Sequence, residues 1–195
     1  MPRSRKIMIT LVVLVAVTIG FLLTHLEDLR VARQLAVARR ALKDRDGDKA
    51  LSAAREAVRL SPRQGEAHFT LARAFRRQGQ LDKVRESLEH AAKLGVPPDR
   101  IRREEWLALA QAGQMKEAQP HLSELLINPG DDGPDICEAY ANGFFLTYRL
   151  DAAEQILDAW EKDFPQDPQP HVFRASMNSK MHNWPTTISH LRKAI

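Results

Sequence analysis

A helix pair that cannot stand alone constrains this chain more than any other feature. From Gly65 to Pro97 it reads GEAHFTLARAFRRQGQLDKVRESLEHAAKLGVP. Leu71, Ala72 and Phe75 share one face at helical spacing. Gly79-Gln80 supplies a turn, and Val84, Leu88 and Ala91 mark a second helix with the same spacing. Small Ala72 admits the partner helix, and Phe75 fills the space beside it. Gly95 and the Pro97-Pro98 pair stop the second helix, because glycine tolerates a left-handed φ and proline lacks an N–H. Two helices of this size leave apolar surface open, so the pair needs stacked copies at a period of ~34 residues.

The period is present. Leu29 to Lys43 carries Val31, Gln34, Leu35, Ala38, Ala41 and Leu42 on one side. Asp46-Gly47-Asp48 reads as its turn, followed by Ala50, Leu51, Ala54, Ala57, Val58 and Leu60 up to Ser61-Pro62. A third unit starts near Asp99 with Trp106, Leu109, Ala110, Gly113, Ala118, Leu122 and Leu125. Asn128 to Pro134 is a turn-rich linker. A fourth carries Tyr140, Ala141, Phe144, Ala153, Leu157, Trp160 and closing Pro165, with Tyr148-Arg149-Leu150-Asp151 in place of a glycine turn. A fifth opens at Pro168 with Val172, Phe173, Ala175, Trp184, Ile188, Leu191 and Ala194.

These units resemble the tetratricopeptide repeat (TPR). Leu71, Ala72, Phe75, Gly79, Val84, Leu88 and Ala91 sit where that family keeps apolar, small or turn residues, as do Ala50, Ala57 and Pro62 in the first unit. His68 replaces an aromatic, Pro97 falls one residue late, and the first turn glycine is displaced. Trp106 stands at a small-residue position, so its two helices are expected to pack further apart. The resemblance implies an all-α fold, a right-handed TPR-like α-solenoid of about five helix-turn-helix repeats. Its repeats cover roughly 29–62, 65–97, 99–128, 134–165 and 168–195, the last incomplete, within a domain over 27–195. Leu191, Ala194 and Ile195 would lie open at the end of the stack.

Ahead of the repeats, residues 1–6 hold Arg3, Arg5 and Lys6 without an acid, and Ile7 to Leu23 runs without a charge. Such a run spans roughly 26 Å as a helix, at the short end of the bilayer-crossing range. No small-residue cleavage signal ends it. The expectation is a transmembrane signal anchor over 7–26 with a cytoplasmic basic tail. The TPR domain would then be extracytoplasmic, and periplasmic in a Gram-negative cell.

The formal charge of +4 hides an asymmetry. Glu27 to Glu105 holds 19 basic and 13 acidic residues, and Trp106 to Ile195 holds 7 and 12. In the family, the first helices of the repeats line a concave groove that binds peptide segments of other proteins. The resemblance places there Arg39, Lys43, Arg73, Arg76 and Arg77, then Arg100, Arg103, Leu107, Glu138, Asn142, Phe145 and Leu146, then Val172, Ser176 and Lys180. Arginine's planar fork suits carboxylates. An acidic protein or peptide is therefore the expected partner, with the solvated charged face as the plain alternative. Nucleic acid is not expected, because aromatics are not interleaved with the basic residues.

No catalytic constellation appears, and neither an enzyme nor a cofactor is expected. Asp44 to Asp48 fails as a calcium loop, since its sixth and twelfth positions are Lys49 and Arg55. Lone Cys137 excludes an intrachain disulfide and a cysteine zinc site, and reads as a buried thiol. Met177, Met181 and His182 read as packing residues. The overall expectation is a membrane-anchored adaptor in envelope assembly, secretion or chaperone-like work. Its alternatives are head-to-tail self-assembly into a homo-oligomer and a catalytic domain beyond Ile195.

Overall fold

The computed structural model describes residues 26–127, 129 and 132–195, and these form helices and turns with no strand among them. The first helix, α1, is described from 26 to 43. It is followed by α2 (Gly47–Leu60), α3 (Gly65–Arg77), α4 (Leu81–Lys93), α5 (Pro98–Gln111) and α6 (Met115–Ala118). A 3₁₀ turn over Gln119–His121 leads to α7 (Leu122–Ile127), α8 (Gly133–Leu146), α9 (Leu150–Asp163), α10 (Gln169–Lys180) and α11 (Trp184–Lys193). The chain forms two compact units, one ending at Val96 and one spanning Pro97–Ile195.

In the first unit, α2 packs on α3 and α3 on α4. Ala50, Ala53, Ala54 and Ala57 are buried on α2, and their small side chains let the neighbouring helices come close. Val31 and Leu35 of α1 meet Ala57 and Ala67. Leu71, Ala72, Phe75, Val84, Leu88 and Ala91 are buried, as the spacing requires. Phe75 also carries the Arg55 guanidinium 5.6 Å and the Lys83 ammonium 5.4 Å from its ring centre. His68, the departure from the family's aromatic, donates to the Pro62 carbonyl at 2.9 Å and stacks on His90.

In the second unit, α5 packs on α8, α7 on α8, α8 on α9, and α9 on α10. Its core gathers Leu107, Ile136, Tyr140, Phe144, Leu157 and Trp160 with the Met115 and Met177 side chains. Asp167 ties this core to α10. One carboxylate oxygen accepts the Trp160 indole N–H at 3.1 Å, and the other accepts the Gln169 amide at 3.1 Å.

The first helix of every pair ends in the same way. Arg45, Gly79, Gly113, Tyr148 and His182 all have positive φ, at intervals of 34 or 35 residues. The next residue's amide then bonds five residues back: Asp46 to Ala41, Gln80 to Phe75, Gln114 to Leu109, Arg149 to Phe144 and Asn183 to Asn178, at 2.8–3.0 Å. The positive-φ amide itself bonds three residues back, from Arg45 to Leu42 at 3.3 Å through His182 to Ser179 at 3.0 Å. This pair of bonds is the Schellman closure, which satisfies carbonyls that a helix end would otherwise orphan. The expected turn at Asp46-Gly47-Asp48 is therefore corrected. Arg45 makes the turn, Gly47 opens α2, and the Asp46 carboxylate caps that helix by accepting from Lys49 N at 3.1 Å.

Side chains other than glycine resist this backbone region because Cβ crowds the following carbonyl. Open space surrounds Gly79, so Gly79→Ala reads the backbone cost alone. It is expected to lose about 1 kcal/mol. Tyr148 is 89% exposed, so Tyr148→Gly removes strain without opening a core, with an expected gain of about 0.5 kcal/mol. Urea midpoints of the two variants against wild type check both signs.

The second helix of the third pair is broken, which the apolar spacing did not reveal. Pro120 has no amide to donate, and its ring crowds the preceding turn. The Leu122 amide turns to the Gln119 carbonyl, and buried Tyr140 donates its hydroxyl to the Ala118 carbonyl at 2.7 Å. Trp106 is half-buried and stacks on His121 in the interrupted turn, centroids 4.0 Å apart.

Two further expectations are corrected here. Among the described residues no helix is long and apolar enough to cross a membrane. Apart from Leu26, the anchor expected over 7–26 lies outside those residues, as does the basic tail. The placement as a single-pass membrane protein with an extracytoplasmic domain is accordingly withdrawn. In the last pair, Trp184 and Ile188 are not core residues: they are 55% and 49% exposed, and Thr187 is the buried side chain of α11. Leu191 and Ile195 are open as expected, at 45% and 107%, while Ala194 is half-buried.

Candidate partner-binding face

In the first unit, the expected cations of α1 and α3 fall in register. Arg39 and Arg73 are one repeat apart, and so are Lys43 and Arg77. Arg39 and Lys43 are exposed, while Arg73 and Arg77 are half-buried. Arg39 reaches from α1 to Glu66 on α3, with Nη2 to Oε1 at 2.7 Å. In that contact a guanidinium N–H holds a carboxylate of the same chain. Arg76 differs from its neighbours. It is 1% exposed, so its side chain belongs to the packing of the unit and is not open to an outside partner.

The second unit uses several of its expected site residues internally. Arg103 donates to the Pro129 carbonyl at 3.0 Å. Asn142 donates at 2.8 Å to the Gln111 carbonyl, the last of α5. Leu107 is buried, and Arg100 is half-buried. Phe145 packs against the core from one side, with the Lys180 ammonium 4.7 Å from its ring centre. Leu146 and Val172 remain exposed at 48% and 38%. This unit therefore offers a face of mixed apolar and cationic character.

One charged cluster involves a residue the sequence reading passed over. Arg174 on α10 is 6% exposed. Its Nε bonds Glu154 at 2.8 Å, one Nη bonds Glu161 at 2.7 Å, and the other bonds Asp158. The three acids lie on α9 at a spacing that aligns them on one helix face. The hydrogen bond from Arg174 holds the Glu161 carboxyl below its ordinary range, and nearby His171 and Lys193 add to the effect. His171 lies 3.5 Å from Glu161 and stacks on His190 of α11. Burial pushes His190 down, helped by the positive charges of Arg174 and Lys193. Three acids aligned on one helix, followed by a lone arginine among apolar neighbours, was the available signal.

Cys137 is buried, and desolvation with the charges of Asp163 and Asp167 pushes its thiol up to about 12. It is thus neither a nucleophile nor a ready metal ligand at neutral pH. Among the described residues no group of three His, Cys, Asp or Glu side chains is placed to hold a metal ion.

No family model matches the chain, and no curated protein matches it. Solved structures do. A MamA fragment running from residue 41 to the end, from Desulfovibrio magneticus RS-1, is 16% identical with a TM-score of 0.48, over 85% of this chain and 93% of that one. YrrB, described as a TPR protein with an unusual peptide-binding site, is 16% identical with a TM-score of 0.45, over 83% of each chain. By its own register of helix pairs and closures, the described chain is an all-α, tetratricopeptide-like repeat protein.

Proposed function

We propose that this protein is a non-catalytic scaffold that holds an acidic segment of a partner protein across α1 and α3 of its first unit, as an adaptor or chaperone-like holder. The observation that carries this reading is the register of cations. Arg39 with Arg73, and Lys43 with Arg77, repeat at the interval of the fold itself, and Arg39 already grips a carboxylate. Guanidinium rows on stacked helices suit the carboxylates of an extended or helical acidic peptide.

The test is selection of peptides from a random displayed library on the full chain. The retained sequences are then measured by fluorescence anisotropy on wild type and on the Arg73→Glu/Arg77→Glu double variant. Arg76 is left in place because its burial would confuse binding with folding. Retained peptides are expected to be rich in Asp and Glu. The double variant should bind them at least tenfold more weakly, and raised salt should weaken the wild type, as exposed charge contacts are screened. Peptides without acidic bias, or binding unchanged in the double variant, would refute the cation row.

A further inference from the structure

We propose that His171 on α10 and His190 on α11 form an acid-released latch, which keeps this helix pair closed while at most one of the two rings is protonated and loosens it when both are. The rings stack across the pair, with centroids 5.8 Å apart and planes 28° from parallel. Nδ1 of each ring is buried and has no hydrogen-bond partner among the described residues. A neutral imidazole tolerates this, because one of its nitrogens carries only a lone pair. A protonated ring carries an N–H on both nitrogens, so a buried Nδ1–H is stranded.

The charges around the two rings differ. Nε2 of His171 lies 3.5 Å from Oε1 of Glu161 on α9, so a proton there completes an ion pair. His190 has the positive charges of Arg174 on α10 and Lys193 on its own helix nearby, with Glu154 of α9 opposing them. Asp158, the remaining acid of the cluster, is bound to Arg174. Burial and the two cations outweigh Glu154 and hold His190 below its ordinary 6.5. A proton on His171 adds a further positive charge at the stacking distance. The closed pair therefore prefers His190 neutral. That contribution is fully present above 6.5 and is lost as pH falls through the depressed value. The window lies above the one in which Glu161 loses its charge, since that carboxyl is held below 4.5.

The first unit supplies a contrast. His68 on α3 and His90 on α4 also stack, with centroids 5.2 Å apart. There His90 is exposed, and the His68 ring bonds the Pro62 carbonyl. Water can solvate a second proton, so α3 and α4 carry the stack without the latch. The latch is independent of the cation row in the first unit.

The experiment follows hydrogen exchange of the full chain by mass spectrometry, as protection factors, from pH 7.5 to about pH 5. Ring-proton NMR follows the imidazoles through the same range. Protection of α11 is expected to fall by about threefold or more, with α4 unchanged. His190→Gln and His171→Gln each leave one titratable ring, so each should keep α11 protected in acid. Circular dichroism at pH 7.5 confirms that both variants stay helical. Both rings protonating while α11 keeps its protection would overturn the latch, as would an α11 unprotected at pH 7.5. A fall that persists unchanged in either variant would overturn it too, because the two rings would then not act together.

Discussion

Gly143→Ala is expected to destabilise the second unit by about 3 kcal/mol, lowering the melting temperature on the order of 10 °C. Alanine in the middle of a helix ordinarily stabilises it by about 1 kcal/mol relative to glycine, so the expected sign is reversed. The reason is the contact between α8 and the end of α5. A Cβ on Gly143 would overlap the carbonyl oxygen of Ala110 and the sulfur of Met115. The methionine can swing away, at the cost of disturbing a core side chain that is 5% exposed. The carbonyl cannot, because it accepts the Gly113 amide at 2.9 Å in the closure of α5. Either the two helices separate or that turn opens. Thermal and urea unfolding beside Gly79→Ala decides the matter. A loss no greater than that of Gly79→Ala would show that the helices slide apart freely and that their close approach stores little.

Arg174→Met is expected to cost about 3 kcal/mol at pH 7. The methionine fills much of the volume, so the loss is mainly electrostatic. Removing the guanidinium leaves Glu154, Asp158 and Glu161 together with no cation between them. The acids are partly exposed, and water softens their repulsion, so the figure belongs to the lower part of the range for broken buried pairs. The pH dependence separates this from a packing defect. Glu161 sits below its ordinary 4.5 in the fold, so its contribution is fully present above that pH and is lost as pH falls through the depressed value. The wild type is therefore expected to weaken in acid below about pH 4.5. The variant should weaken less over the same window, because protonation relieves its clustered acids. Urea midpoints of both proteins at pH 7 and pH 4 make the comparison. Parallel pH curves would mean that Arg174 acts by packing alone.

How much of this was legible in the sequence depends on how local the cause is. The faces carrying Leu71, Phe75, Leu88 and Trp160 were legible, because helical spacing and apolar character decide burial with little help from elsewhere. The break at Pro120 was also written in the chain, but the apolar spacing around it reads as one helix, and only the missing amide reveals the interruption. Arg76 was placed on the open face with Arg73 and Arg77. One residue along a helix turns a side chain by about 100°, and that rotation took it into the packing. Arg103 and Asn142 were expected at the surface as contacts for a partner. They instead serve the carbonyls of Pro129 and Gln111, which belong to segments distant in sequence. The Arg174 cluster went unseen for a similar reason, since its meaning lies in which helix faces which. The outward face of α11 was misassigned because periodicity announces an apolar stripe without saying what covers it.

The closures that end the first helix of each pair have a consequence for how such a protein can be detected. Each join is held by two backbone hydrogen bonds, and those bonds are indifferent to the side chain they pass. Glycine occupies the join at Gly79 and Gly113, while arginine, tyrosine and histidine occupy it at Arg45, Tyr148 and His182. A pattern that scores letters credits the glycines and discards the rest, although all five turns have the same geometry. The information that keeps this chain in phase at these joins is therefore carried by atoms common to every residue.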